Sequence, residues 1–115
     1  MADEKVEEAV RNFEMILRTD PNDVEVMLKL GYSRFHLDDH SEAMRVYDKI
    51  LDKHKGNINV VYAKARSKAA LNEVNEAFDL LNVAIKHSKT IKLWARKEKV
   101  FEKFYDDPEF QRMVK

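Results

Sequence analysis

Three alanines, Ala9, Ala43 and Ala77, recur at one constant spacing, and each is followed at fixed distances by residues of matching kind. Four residues beyond each alanine come Phe13, Tyr47 and Leu81, and three further on come Ile16, Ile50 and Ala84. A long period of this sort means that one small supersecondary unit recurs, and that each copy buries its apolar face only against its neighbours. The unit must also be helical. The offsets i, i+4 and i+7 put each trio on one helix face. With two Gly and two Pro in 115 residues, the chain lacks the punctuation that many short strands need.

The rest of the chain fills in around that period. Val6, Ala9, Val10, Phe13, Ile16 and Leu17 predict a helix over 3–18, with acidic residues in its first turns where the helix dipole favours them. Pro21 ends it, and Asn22 or Asp23 can cap the next, expected over about 23–37. Gly31 falls inside that second helix at a cost of about 1 kcal/mol relative to Ala, so close approach of a neighbouring helix backbone is expected there. Further helices are predicted over about 41–54, 58–71, 74–87 and 90–105. Gly56 suits a left-handed cap after the third, and a short last helix has Asp107 as its cap and Pro108 at its first position. This makes seven helices and no strand.

The same residues carry a resemblance. Ala9-x3-Phe13 followed by Pro21, and Met27-x2-Leu30-Gly31 in the preceding helix type, resemble the tetratricopeptide repeat, a 34-residue helix–turn–helix unit. Trp94 is expected at the tryptophan site of the third unit. Lys64, Lys68 and Glu98 depart from the pattern, standing where it has Leu, Tyr and Gly. The resemblance implies an all-α solenoid, one domain over 1–115 wound as a right-handed superhelix. Its parts would be a leading helix 3–18, repeats at 24–57 and 58–90, and a partial repeat with C-terminal cap at 91–115.

It also implies a mode of function: a non-catalytic protein–protein interaction module or scaffold, holding a peptide segment or partner helix in the concave groove lined by the first helix of each unit. The groove residues carried over are Leu28, Tyr32, Phe35 and His36 from the first unit, Asn59, Tyr62 and Arg66 from the second, and Lys92, Arg96 and Lys99 from the third. One end is then aromatic and the other basic, which suits an apolar anchor beside acidic residues or a free carboxylate. A five-residue carboxylate clamp known in the family would fall on Leu28, Tyr32, Ala63, Lys92 and Arg96. Only the last two match, so no chaperone-tail clamp is expected, and a looser anion site at Lys92 and Arg96 is. The alternative is a self-associating structural unit, a homodimer through a terminal helix such as 3–18 or 90–105.

Charge and residue types narrow the chemistry further. Net charge is zero, with residues 1–57 holding 9 basic and 13 acidic residues and residues 58–115 holding 12 and 8. A neutral whole argues against general nucleic-acid affinity, while the basic half leaves room for an anionic partner. There is no Cys, so disulfides, thiolate ligands and a thiol nucleophile are out. His36 and His40 are four apart, but the turn 38–41 separates them, and a solvated turn explains them without a metal. No cofactor is expected, since no phosphate loop, nucleophile triad or acid–base pair is present. The acidic N-terminal stretch does not resemble a signal peptide and no apolar run reaches about 20 residues, which together predict a cytoplasmic protein with no membrane partner.

Overall fold

The computed structural model describes residues 2–115. Among them are seven α-helices and one 3-10 helix and no strand: α1 (Ala2–Thr19), α2 (Val24–His36), α3 (His40–Lys53), α4 (Ile58–Ala70), α5 (Val74–His87), α6 (Thr90–Lys97), the 3-10 helix (Lys99–Phe104) and α7 (Pro108–Val114). The period in the sequence returns as geometry. α2 and α4 are both 13 residues long and start one period apart, at 24 and 58. α3 and α5 are both 14 long and start one period apart, at 40 and 74.

The helix ends repeat too. Asp23 accepts the N–H of Val26 at 3.1 Å, and Asn57, one period on, accepts that of Val60 at 3.3 Å. α2 ends at Asp38 with φ 59°, and α4 ends at Asn72 with φ 62°. In both turns the left-handed residue donates to the carbonyl three back (Phe35, Ala69), and the next residue donates to the carbonyl five back (Arg34, Lys68). This pair of bonds closes a helix sharply and satisfies carbonyls that the helix leaves free. The position is usually glycine; here Asp and Asn hold it, the side chains best suited after glycine to that backbone region. Gly56 does not play this part, because no glycine has positive φ. The chain leaves α3 through His54 instead, with φ −129° and ψ 64°.

Consecutive helices pack against one another from α1 to α5, and two apolar clusters follow. Met27, Ala43, Tyr47, Ile50, Val60 and Ala63 form the first. The second gathers Ala65, Ala77 and Leu81 with the rings of Phe78, Phe101, Phe104 and Phe110. Gly31 is required by the Tyr47 ring and not, as expected, by a neighbouring backbone. A Cβ on Gly31 would run into Tyr47 Cε1 and stand 3.0 Å from Cδ1 and Cζ. One period on, Ala65 and Leu81 solve the same contact with a larger small residue and a smaller large one, and both are fully buried.

Lys64 and Lys68 also find their reasons in the structure. Lys64 Nζ lies 2.7 Å from Asp48 on α3, and Lys68 Nζ lies 2.6 Å from Glu73 and 2.5 Å from Glu76 on α5. Both stems are partly buried, with the charge delivered to an acid on the adjacent helix.

The third unit departs from the expected helix 90–105. α6 stops at Lys97, Glu98 is extended (φ −74°, ψ 119°), and a 3-10 helix follows. The cause is phase. Ile91 and Ala95 face inward, and an unbroken helix would next turn Glu98, Lys99 and Glu102 into the core. Breaking at Glu98 and rewinding with three residues per turn buries Phe101 and Phe104 instead. Trp94 accordingly does not occupy the buried tryptophan site. It is 45% exposed, while Ala95, one period beyond the buried Val61, is fully covered.

Candidate partner-binding groove

Side chains of α2, α4 and the α6 break meet around Glu98. The Arg66 guanidinium sits 4.1 Å over the ring of Phe35, and its Nε lies 2.9 Å from Glu98 Oε1. Tyr62 donates its hydroxyl to the same carboxylate oxygen at 3.2 Å, and Tyr105 donates to the Glu98 backbone carbonyl at 3.0 Å. One residue thus ties the second unit's first helix to the C-terminal cap. A cleft of about 460 Å³ opens here, lined by Phe35, His36, His40, Arg66, Glu98 and Lys99 among others.

The electrostatics follow from this packing. Burial, then the neighbouring Glu98 charge and its hydrogen bond, push the Tyr62 phenol far above its ordinary pKa, with Arg66 opposing. Tyr62 therefore stays a donor. Arg66 is spoken for by Glu98, whereas Lys99 has no ion pair among the described residues and is exposed at the cleft. Beyond Tyr62, the Trp94 ring lies tilted at 60° to it, 5.7 Å between centroids, and is 45% exposed beside Leu93, which is 55% exposed.

The residues expected in the groove separate into three groups. Phe35, His36, Arg66 and Lys99 come together in the cleft, with Tyr62 beneath it, its side chain almost wholly buried. Leu28 and Tyr32 pack on the first apolar cluster, Tyr32 edge-on to Tyr47 at 6.4 Å, and Asn59 is exposed in the first turn of α4. Lys92 and Arg96 turn elsewhere. Lys92 donates to the Lys115 carbonyl at 3.2 Å and Arg96 to that of Val114, so both cations complement the carbonyl end of α7. Ala63, at a position of the carboxylate clamp, is buried.

The sequence reading singled out Glu98, His40 and Trp94 for other reasons and did not place them in the groove, nor Asp38, Ala70 and Val100, which line the cleft. Glu98 had a signal: a charged residue falling on the buried phase of a helix marks a break or a buried partner. Among the described residues there is no cluster of three His, Cys, Asp or Glu side chains able to hold a metal ion, and no helix is long and apolar enough to cross a membrane.

An all-helical array of paired helices at a 34-residue period, with its first helices meeting in a mixed aromatic and charged cleft, defines a helical-repeat interaction fold. A tetratricopeptide repeat model matches residues 1–66, more than half of the chain, and the protein belongs to that family. Such repeats generally mediate protein–protein interactions and are typically non-catalytic. No curated protein and no solved structure matches the chain.

Proposed function

We propose that this protein is a non-catalytic, single-domain interaction module that holds a segment of a partner protein along α2, α4 and α6. The helix pairs 24–57 and 58–90 form the bed, and 91–115 closes it. The observation that carries this reading is the pairing of an apolar platform with a free cation: Trp94 open on Tyr62 beside Leu93, and Lys99 unpaired among the described residues at the mouth of the cleft. A segment with one large apolar side chain and an acidic residue a few positions away matches both. Arg66 contributes shape and not free charge, because Glu98 neutralises it. Lys92 and Arg96 serve α7.

Selection of binders from a random peptide display library tests this. Enriched sequences should share an apolar–acidic pairing. Trp94→Ala and Lys99→Glu should each weaken the selected peptides by roughly tenfold, the scale of one interface anchor. Peptides that bind both variants as tightly as the parent chain would place the site elsewhere.

A further inference from the structure

α1 carries Ala9, Phe13 and Ile16 where α3 carries Ala43, Tyr47 and Ile50 and α5 carries Ala77, Leu81 and Ala84. Those last six are at most 1% exposed, because α2 and α4 pack against the helices that bear them. On α1 the same face is open: Ala9 and Phe13 are only partly covered, Ile16 is 43% exposed and Met15 beside it 60%. A helix is the shape that covers this stripe in both other units.

The charges bordering the stripe indicate which helix. At about 100° per residue, Lys5, Ala9, Asn12, Ile16 and Asp20 fall within about 80° of arc. Asp20 lies just past α1 but continues its geometry, its N–H bonding the Ile16 carbonyl at 2.9 Å. Lys5 and Asp20 are exposed and carry no ion pair among the described residues. We propose that α1 pairs antiparallel with α1 of a second copy, about a two-fold axis passing between Asn12 and Phe13. Lys5 of each copy then faces Asp20 of the other, and the small Ala9 receives the large Ile16, each contact occurring twice. A parallel pairing would set Lys5 against Lys5 and Asp20 against Asp20. The groove on α2, α4 and α6 takes no part in this contact, so the dimer would present two grooves and gain avidity for a partner with repeated segments.

One helix pair is a small interface, so half-dimerisation is expected on the order of 10–100 µM. Sedimentation equilibrium of the full chain up to about 0.5 mM should show a monomer–dimer equilibrium in that range. Ile16→Glu should leave a monomer with unchanged helical circular dichroism. Lys5→Asp or Asp20→Lys alone should weaken the dimer about fivefold, through two lost ion pairs, and the two together should restore it. Because the chain has no cysteine, Asn12→Cys near the axis should oxidise to a disulfide-linked dimer while Val83→Cys, also exposed but on α5, should not. A chain that stays monomeric at every concentration overturns the proposal. So does a dimer indifferent to Ile16→Glu and to the charge exchange, or equal cross-linking through Val83→Cys.

Discussion

Single residues carry the contacts that make one unit differ from the next. Gly31 and Tyr47 in the first full unit answer Ala65 and Leu81 in the second, with one ring exchanged for a smaller chain and one hydrogen for a methyl. Gly31→Ala gains helix propensity, but its new methyl meets a ring that is fully buried and has nowhere to move. The expected net result is a loss of about 1–3 kcal/mol in urea denaturation. The double variant Gly31→Ala, Tyr47→Leu copies the second unit's solution and should recover most of it. Asp38 gives a change of opposite sign. It bears the left-handed backbone cost with a side chain that is almost wholly exposed, so Asp38→Gly should raise stability by about 0.5–1 kcal/mol in the same assay. Asn72→Gly should gain less, since Asn72 Oδ1 also accepts a hydrogen bond from Lys103.

The two buried phenols set an alkaline limit. Burial holds Tyr47 and Tyr62 protonated in the folded chain, with their pKa values raised above the ordinary 10.0 at which they ionise once unfolded. Stability from this source is whole below pH 10 and falls as pH rises further. Tyrosinate absorbance should therefore show the partly buried Tyr32 and Tyr105, themselves raised by burial, titrating first, with the buried pair following only as helical circular dichroism is lost.

At the scale of elements, the joint at Glu98 decides how the array ends. Glu98→Ala removes the partner of a partly buried Arg66 and the acceptor of Tyr62, and should cost about 1–3 kcal/mol. Glu98→Gln, which still accepts from Tyr62, should cost less. Hydrogen exchange should show the loss concentrated in α6, the 3-10 helix and α7. This joint also marks where the sequence stops being a sufficient guide. Helices α1 to α5 were legible because their signals are local: Pro21 with a cap at Asn22 or Asp23, apolar spacing, and a period that returns with every helix pair, while the cap at Asn57 shows only in the structure. The break after Lys97 was not, because its cause is a competition between continuing a favourable helix and burying Phe101 and Phe104. The same blindness misplaced Trp94, whose identity suggested a buried site although its phase put it on the surface. Phe35, His36, Arg66 and Lys99 could be named from the repeat pattern, but that Arg66 is neutralised while Lys99 has no ion pair among the described residues depends on Glu98. Lys92 and Arg96 look like groove cations until α7 folds back to present its carbonyls to them.

The whole molecule is an elongated body of 45 × 34 × 22 Å, built from neighbour-to-neighbour helix contacts around two apolar clusters. Such an array gives each helix type a separate task. The second helices bury the alanine faces that hold the units together, and the first helices bring Phe35, Arg66 and the Trp94–Tyr62 platform to one side. Partner segments should be read on that side alone. Amide chemical-shift mapping of the labelled chain, titrated with the tightest peptide from the display selection, tests this. Shifts should cluster on the exposed residues of α2, α4 and α6, the Trp94 indole N–H among them, with α3 and α5 silent. Shifts clustered on α3 and α5, with the Trp94 indole unmoved, would contradict it.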